Sequence, residues 1–88
     1  VYNYTFIYPN PNNGHFNVRF EGVPYNGLPR KLSMYDSKGA RVYVKDYAIT
    51  TSYQIMEVSV EKFSSGVYMV VLSDASGTTL ATGKVLIQ

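Results

Sequence analysis

Apolar and polar residues alternate along most of this chain, and no stretch repeats at helical spacing over the ~11 residues a helix requires. Phe16, Val18 and Phe20 alternate with His15, Asn17, Arg19 and Glu21, which predicts a half-buried strand with the aromatics inward. Leu32 and Met34 point one way, and Lys31, Ser33 and Tyr35 the other, in a further strand. Arg41 to Asp46 returns with Val42 and Val44 on one face, and Met56, Val58 and Val60 alternate with Ile55, Glu57, Ser59 and Glu61. Leu80 to Ile87 sets Ala81, Gly83, Val85 and Ile87 on one face, while Tyr2 to Tyr8 suits a short edge strand. Val67 to Leu72 breaks the alternation, being polar only at the Tyr68 hydroxyl. Such a run predicts a strand covered on both faces, near the centre of the domain. Its expected partners are the Met56–Val60 strand before it and Leu80–Ile87 after it.

The segments between these runs carry turn chemistry. Two prolines that cannot donate to a ladder, followed by Asn12-Asn13-Gly14, make Tyr8 to Gly14 a rigid loop leading into a turn. Gly22 to Pro29 reads as a loop, Tyr47 to Ser52 as a polar connection, and Ser64-Ser65-Gly66 as a hinge. Asp36-Ser37-Lys38-Gly39 and Asp74-Ala75-Ser76-Gly77 place Asp first and Gly last, as a hairpin-closing type I turn requires. Seven short strands at this spacing predict one all-β domain over residues 1–88, a seven-stranded immunoglobulin-like Greek-key β-sandwich.

Composition narrows the function. A chain of 88 residues buries roughly 60–70% of its unfolded surface, enough for a modest core but not for a deep pocket as well. It has no cysteine, so thiol nucleophiles, disulfides and Cys-based metal sites are excluded. The 8 basic residues are scattered and the net charge is only +2, so the basic stripe of a nucleic-acid binder is missing. No apolar run approaches the ~20 residues of a membrane-spanning helix, and a soluble domain is expected. The chain starts at Val1, without a leader pattern, and stops at Gln88 directly after an apolar run. It reads as a segment of a larger protein whose natural C-terminus lies in the last strand.

Candidate chemistry is sparse. The single histidine, His15, lies on the polar face beside Gly14, with nothing near it in sequence to complete a triad, so a solvated turn residue is expected. Asp36 and Asp74 have oxygens suited to calcium, but Asp opening a turn already bonds its own backbone. The six carboxylates would need a cleft to act as a glycosidase pair, and a chain this short has little material for one. The Asn3-Tyr4-Thr5 sequon carries no weight. Nine tyrosines are unusual, but most fall within predicted strands, where the ring suits a half-buried pleated surface. No catalytic residue, metal or cofactor is expected, and the domain does not read as an enzyme.

Three signatures, taken in order, resemble one family. They are Tyr8-Pro9-Asn10-Pro11 followed by Gly14; Leu32-x-Met34-x-Asp36-x-x-Gly39-x-x-Val42; and Ser65-Gly66-Val67-Tyr68-x-Val70, then Gly77, then Lys84-Val85-Leu86-Ile87. The chain from Tyr8 to Gln88 is similar to the C-terminal sorting domain of proteins exported by the type IX (Por) secretion system of Bacteroidota. That resemblance implies a sandwich behind a larger N-terminal cargo, which crosses the periplasm and ends at the cell surface or outside the cell. The implied partners are the translocon with its shuttle components and, in many members, a sortase-like peptidase that removes the domain and anchors the cargo. Carried over by position, the pattern marks Pro9, Asn10, Pro11, Gly14, Asp36, Gly39 and Gly77 as structural, and includes Gly66, Tyr68 and Lys84. Members often place two cations near the last strand, whereas only Lys84 stands there here.

Gly66, Tyr68, Lys84, Val85, Leu86, Ile87 and Gln88 are therefore the candidate recognition residues. A terminal strand without a tail is expected to offer one open edge for β-augmentation by a translocon component. The second reading is an adhesion or carbohydrate-binding sandwich module attached to a secreted enzyme.

Overall fold

The computed structural model describes residues 2–23, 29–47 and 55–88, with no helix among them. Seven strands follow in order: β1 (Tyr2–Tyr8), β2 (His15–Val23), β3 (Lys31–Tyr35), β4 (Arg41–Asp46), β5 (Ile55–Ser59), β6 (Gly66–Ser73) and β7 (Thr79–Ile87). They form two antiparallel sheets, β1-β2-β5 and β4-β3-β6-β7. This is the expected immunoglobulin-like sandwich. Most of the predicted Gly22–Pro29 loop, the connection after Tyr47 and the Asn3 side chain lie outside the described residues.

Alternation decides the core. Phe16, Val18 and Phe20 of β2 and Met56 and Val58 of β5, with Val60 just beyond β5, face Leu32, Met34, Tyr68, Val70, Leu72, Val85 and Ile87 of the other sheet. In β1, Thr5 and Ile7 stand opposite Phe20 and Val18, so Ile7 joins the core and Phe6 and Tyr8 turn outward.

Two expectations about the strands change. β6 is an inner strand paired with β7 as expected, but its other neighbour is β3, while β5 lies in the opposite sheet. The chain crosses between sheets after β5, as a Greek key requires. Nor is β6 covered on both faces: Tyr68, Val70 and Leu72 are buried, Met69 and Val71 are half-buried, and Val67 is 50% exposed. Apolar sequence on both faces here reflects an apolar outer surface rather than a second covering layer. The valine face of β4 is likewise its outer one, with Val44 46% exposed, and Tyr43 packs toward the core instead.

The two Asp-x-x-Gly turns form as expected. Asp36 Oδ1 accepts the Lys38 and Ala40 amides at 2.9 Å each. Asp74 Oδ1 accepts the Ser76 amide at 2.9 Å, the Ser76 hydroxyl at 2.7 Å and the Thr78 amide at 3.0 Å. The Ser76 hydroxyl, with the amides beside it, holds the Asp74 carboxyl below its ordinary value. Both carboxylates are committed to their own turns.

Candidate recognition surface

The terminal strand is strapped into the sandwich. After β1 the chain leaves the first sheet at Pro9 and runs alongside β7, where Asn12 makes a parallel bridge to Ile87. The Asn12 amide donates to Leu86 O at 3.0 Å, and the Gln88 amide donates to Asn12 O at 2.7 Å. Asn10 adds a second pair through its side chain: Nδ2 donates to Lys84 O at 3.0 Å, and Oδ1 accepts the Leu86 amide at 2.9 Å. A carboxamide carries one donor and one acceptor in nearly the arrangement of a peptide group, so Asn10 acts here as a strand residue. Two prolines that donate nothing leave this alignment to the asparagines between and after them.

The strap braces itself. Asn12 is buried, its Nδ2 donates to Pro9 O at 2.9 Å, and its Oδ1 accepts the Gly14 amide at 2.8 Å. The expected open edge over Lys84–Gln88 is therefore largely closed: the Lys84 carbonyl, the Leu86 amide and carbonyl and the Gln88 amide all have partners in the strap. Covering an edge in this way blocks pairing with another strand. Asn10→Ala removes both side-chain bonds and is expected to cost about 1–2 kcal/mol, since they are exposed and one Asn12 bridge remains. Amide exchange at Leu86 should accelerate by roughly 5–30-fold. An unchanged rate at Leu86 would show that Asn10 does not hold the edge.

The opposite side of the sandwich is closed by Tyr47, whose hydroxyl donates to Glu57 O on β5 at 2.6 Å. Burial, with a hydrogen bond to Tyr43, pushes the Tyr47 hydroxyl above its ordinary range, so it stays a neutral donor.

The predicted recognition residues separate by burial. Lys84, Leu86 and Gln88 are exposed, and Gly66 is half-buried. Tyr68, Val85 and Ile87 are core residues. The Tyr68 hydroxyl donates back to Ser64 O at 2.7 Å, and its ring lies 5.4 Å from Phe63. This is the tyrosine-corner arrangement of immunoglobulin-like sandwiches, which fixes the crossing into the strand. Among the structural positions, Gly14, Gly39 and Gly77 have positive φ in their turns, and Pro9, Asn10 and Pro11 build the strap. Sequence reasoning missed Asn12. The signal was an asparagine directly after Pro11 and two residues before a glycine needing positive φ.

His15 meets more than a solvated turn. Its Nε2 lies 2.6 Å from Glu61 Oε1, and its Nδ1 lies 3.1 Å from Ser59 Oγ. The order serine, histidine, carboxylate is that of a triad, but His15 and Glu61 are 53% and 63% exposed. Water competes for every partner at such a site, and its physical role is to tie β2 to the end of β5. Among the described residues no group of three or more His, Cys, Asp or Glu side chains is placed to hold a metal.

The features assembled here define a class: an immunoglobulin-like sandwich whose terminal strand is strapped down, with its chemistry on the surface rather than in a cleft. Compared with models of known families, residues 6–88 match the secretion system C-terminal sorting domain. The chain belongs to this family, and it is a C-terminal sorting signal of type IX secretion. A comparison with curated proteins gave no match. The family is a signal rather than a catalyst, implies interaction with the type IX machinery, and implies export to the cell surface or beyond. The adhesion or carbohydrate-binding reading has no support in this match.

Proposed function

We propose that the domain is read in its folded form by the outer-membrane translocon and its shuttle components, after an N-terminal cargo carrying it has reached the periplasm. A sortase-like peptidase then removes the domain and leaves the cargo at the cell surface. The observation that supports this reading most is the family match across nearly the whole sandwich, which makes the folded domain the natural unit of recognition. Among the candidate residues, Lys84, Leu86 and Gln88 would touch the translocon directly. Tyr68, Val85 and Ile87 would act by holding the strand that presents them. Truncating Lys84–Gln88 would remove two core side chains together with the exposed ones, so substitution is the cleaner probe.

The test fuses the whole chain behind a periplasmic reporter in hosts with and without the type IX translocon. Surface reporter is expected only where the translocon is present. Equal delivery in both hosts would sink the proposal.

A further inference from the structure

The outer face of the four-stranded sheet carries a pattern that spans strands far apart in sequence. Residues directly opposite one another in adjacent strands share a face. The register therefore draws a row across the sheet: Arg41 on β4, Tyr35 on β3, Met69 on β6 and Lys84 on β7. A β-bulge between Met34 and Tyr35 brings Arg41, rather than Val42, opposite Tyr35. The two cations are exposed, and Tyr35 and Met69 between them are half-buried. Three strand steps of about 4.8 Å separate Arg41 from Lys84, a span of roughly 14 Å.

The neighbouring rows extend the apolar part. On one side Val67 stands opposite Leu86, and both are exposed. On the other, Val44 and Val71 flank Ser33. Patches of exposed aliphatic side chains on one face mark interaction surfaces.

We infer that this face docks a protein surface of the secretion machinery that is apolar at its centre and bears acidic side chains roughly 14 Å apart, placed to meet Arg41 and Lys84. The inference rests on the sorting reading above and names the surface that performs it. A second copy of the chain does not fit. The row has a cation at each end, so two such faces laid row on row bring cation onto cation in either direction. The face measures roughly 300 Å² by strand spacing and rise, well under the ~800 Å² per partner of a stable interface. A contact of that size suits a signal that is bound and then released.

The test uses the whole chain fused behind the reporter, in a host with the translocon. Arg41→Glu with Lys84→Glu is expected to lower surface delivery at least tenfold. Val44→Ser with Val67→Ser should lower it as well, while Ile55→Ser, on the outer face of the other sheet, should leave it unchanged. All these positions are exposed, and unchanged thermal melts would confirm that each variant folds. If the reversal variant is delivered like the parent while reporter lacking the domain stays behind, the docking face is wrong and the sorting reading stands. Delivery of reporter lacking the domain would overturn the sorting reading itself. Sedimentation of the parent with phosphatidylglycerol vesicles, lost in the reversal variant, would assign the face to an anionic membrane and overturn a protein partner. A dimer in sedimentation velocity that Val44→Ser with Val67→Ser dissociates would overturn it in favour of self-association.

Discussion

Tyr68→Ala is expected to strip the domain of much of its stability, lowering the melting temperature by roughly 12–40 °C, while Tyr68→Phe loses only several degrees. The ring is 8% exposed in the core and packs 5.4 Å from Phe63, and its hydroxyl anchors Ser64 O at 2.7 Å. Truncating a buried aromatic to alanine costs about 3–5 kcal/mol. A domain of 88 residues has a total stability of only about 4–13 kcal/mol. Removing the hydroxyl alone costs about 1 kcal/mol, or roughly 4–8 °C in a domain this size. Circular dichroism melts of both variants, with reporter delivery measured in parallel, separate two roles for the residue. If Tyr68→Ala melts within a few degrees of the parent yet fails to sort, Tyr68 is a contact residue and its placement as a structural corner is wrong.

Gly14→Ala should be the most damaging glycine substitution among the turns, costing about 2–4 kcal/mol. Gly14 has φ +108°, and an added Cβ would lie 2.9 Å from Glu61 Cα and 3.0 Å from Val60 O, both backbone atoms that cannot swing aside. Its carbonyl accepts the Val60 amide at 2.7 Å, so the backbone there is held from both sides. Gly39 also has a positive φ, but an added Cβ there meets nothing within 4 Å. Gly39→Ala should therefore cost only the conformational strain, about 1 kcal/mol. Comparison of the two melts isolates the steric part. Equal melting temperatures would show that the approach of Val60 and Glu61 is not what requires glycine at position 14.

The Gly14 site and the strap belong to one construction. Gly14 lets the chain turn tightly under β5, Asn12 braces that turn through the Gly14 amide, and the same Asn12 holds Leu86 and Gln88. An unpaired edge on β7 would be open to pairing with other chains. The strap removes that hazard and leaves the side chains of Lys84, Leu86 and Gln88 accessible. A covered edge leaves exposed side chains, rather than main-chain pairing, as the surface available for the proposed recognition.

The sequence by itself determined the elements and the core. Alternation at Phe16, Val18 and Phe20, at Leu32 and Met34, and at Met56 and Val58 assigns each inward face because a strand has a period of two. The Asp-x-x-Gly turns are equally local, since each Asp36 or Asp74 oxygen reaches only its own neighbours. The family was legible for the same reason: its motifs are turn and strand-start residues in a set order.

Tertiary structure alone decided which strands are neighbours. β6 pairs with β3 across a gap of about thirty residues instead of with β5, because the chain crosses from one sheet to the other between β5 and β6. It also decided what the apolar outer residues of β6 face. Val67, Met69 and Val71 read as buried in sequence, since an apolar run looks the same whether a second layer or a docking partner covers it. The pairing of Asn10 with Lys84 and Leu86, and the single row that Arg41 and Lys84 share across four strands, join positions with no local relation. The candidate recognition surface exists only once the sheet order is known.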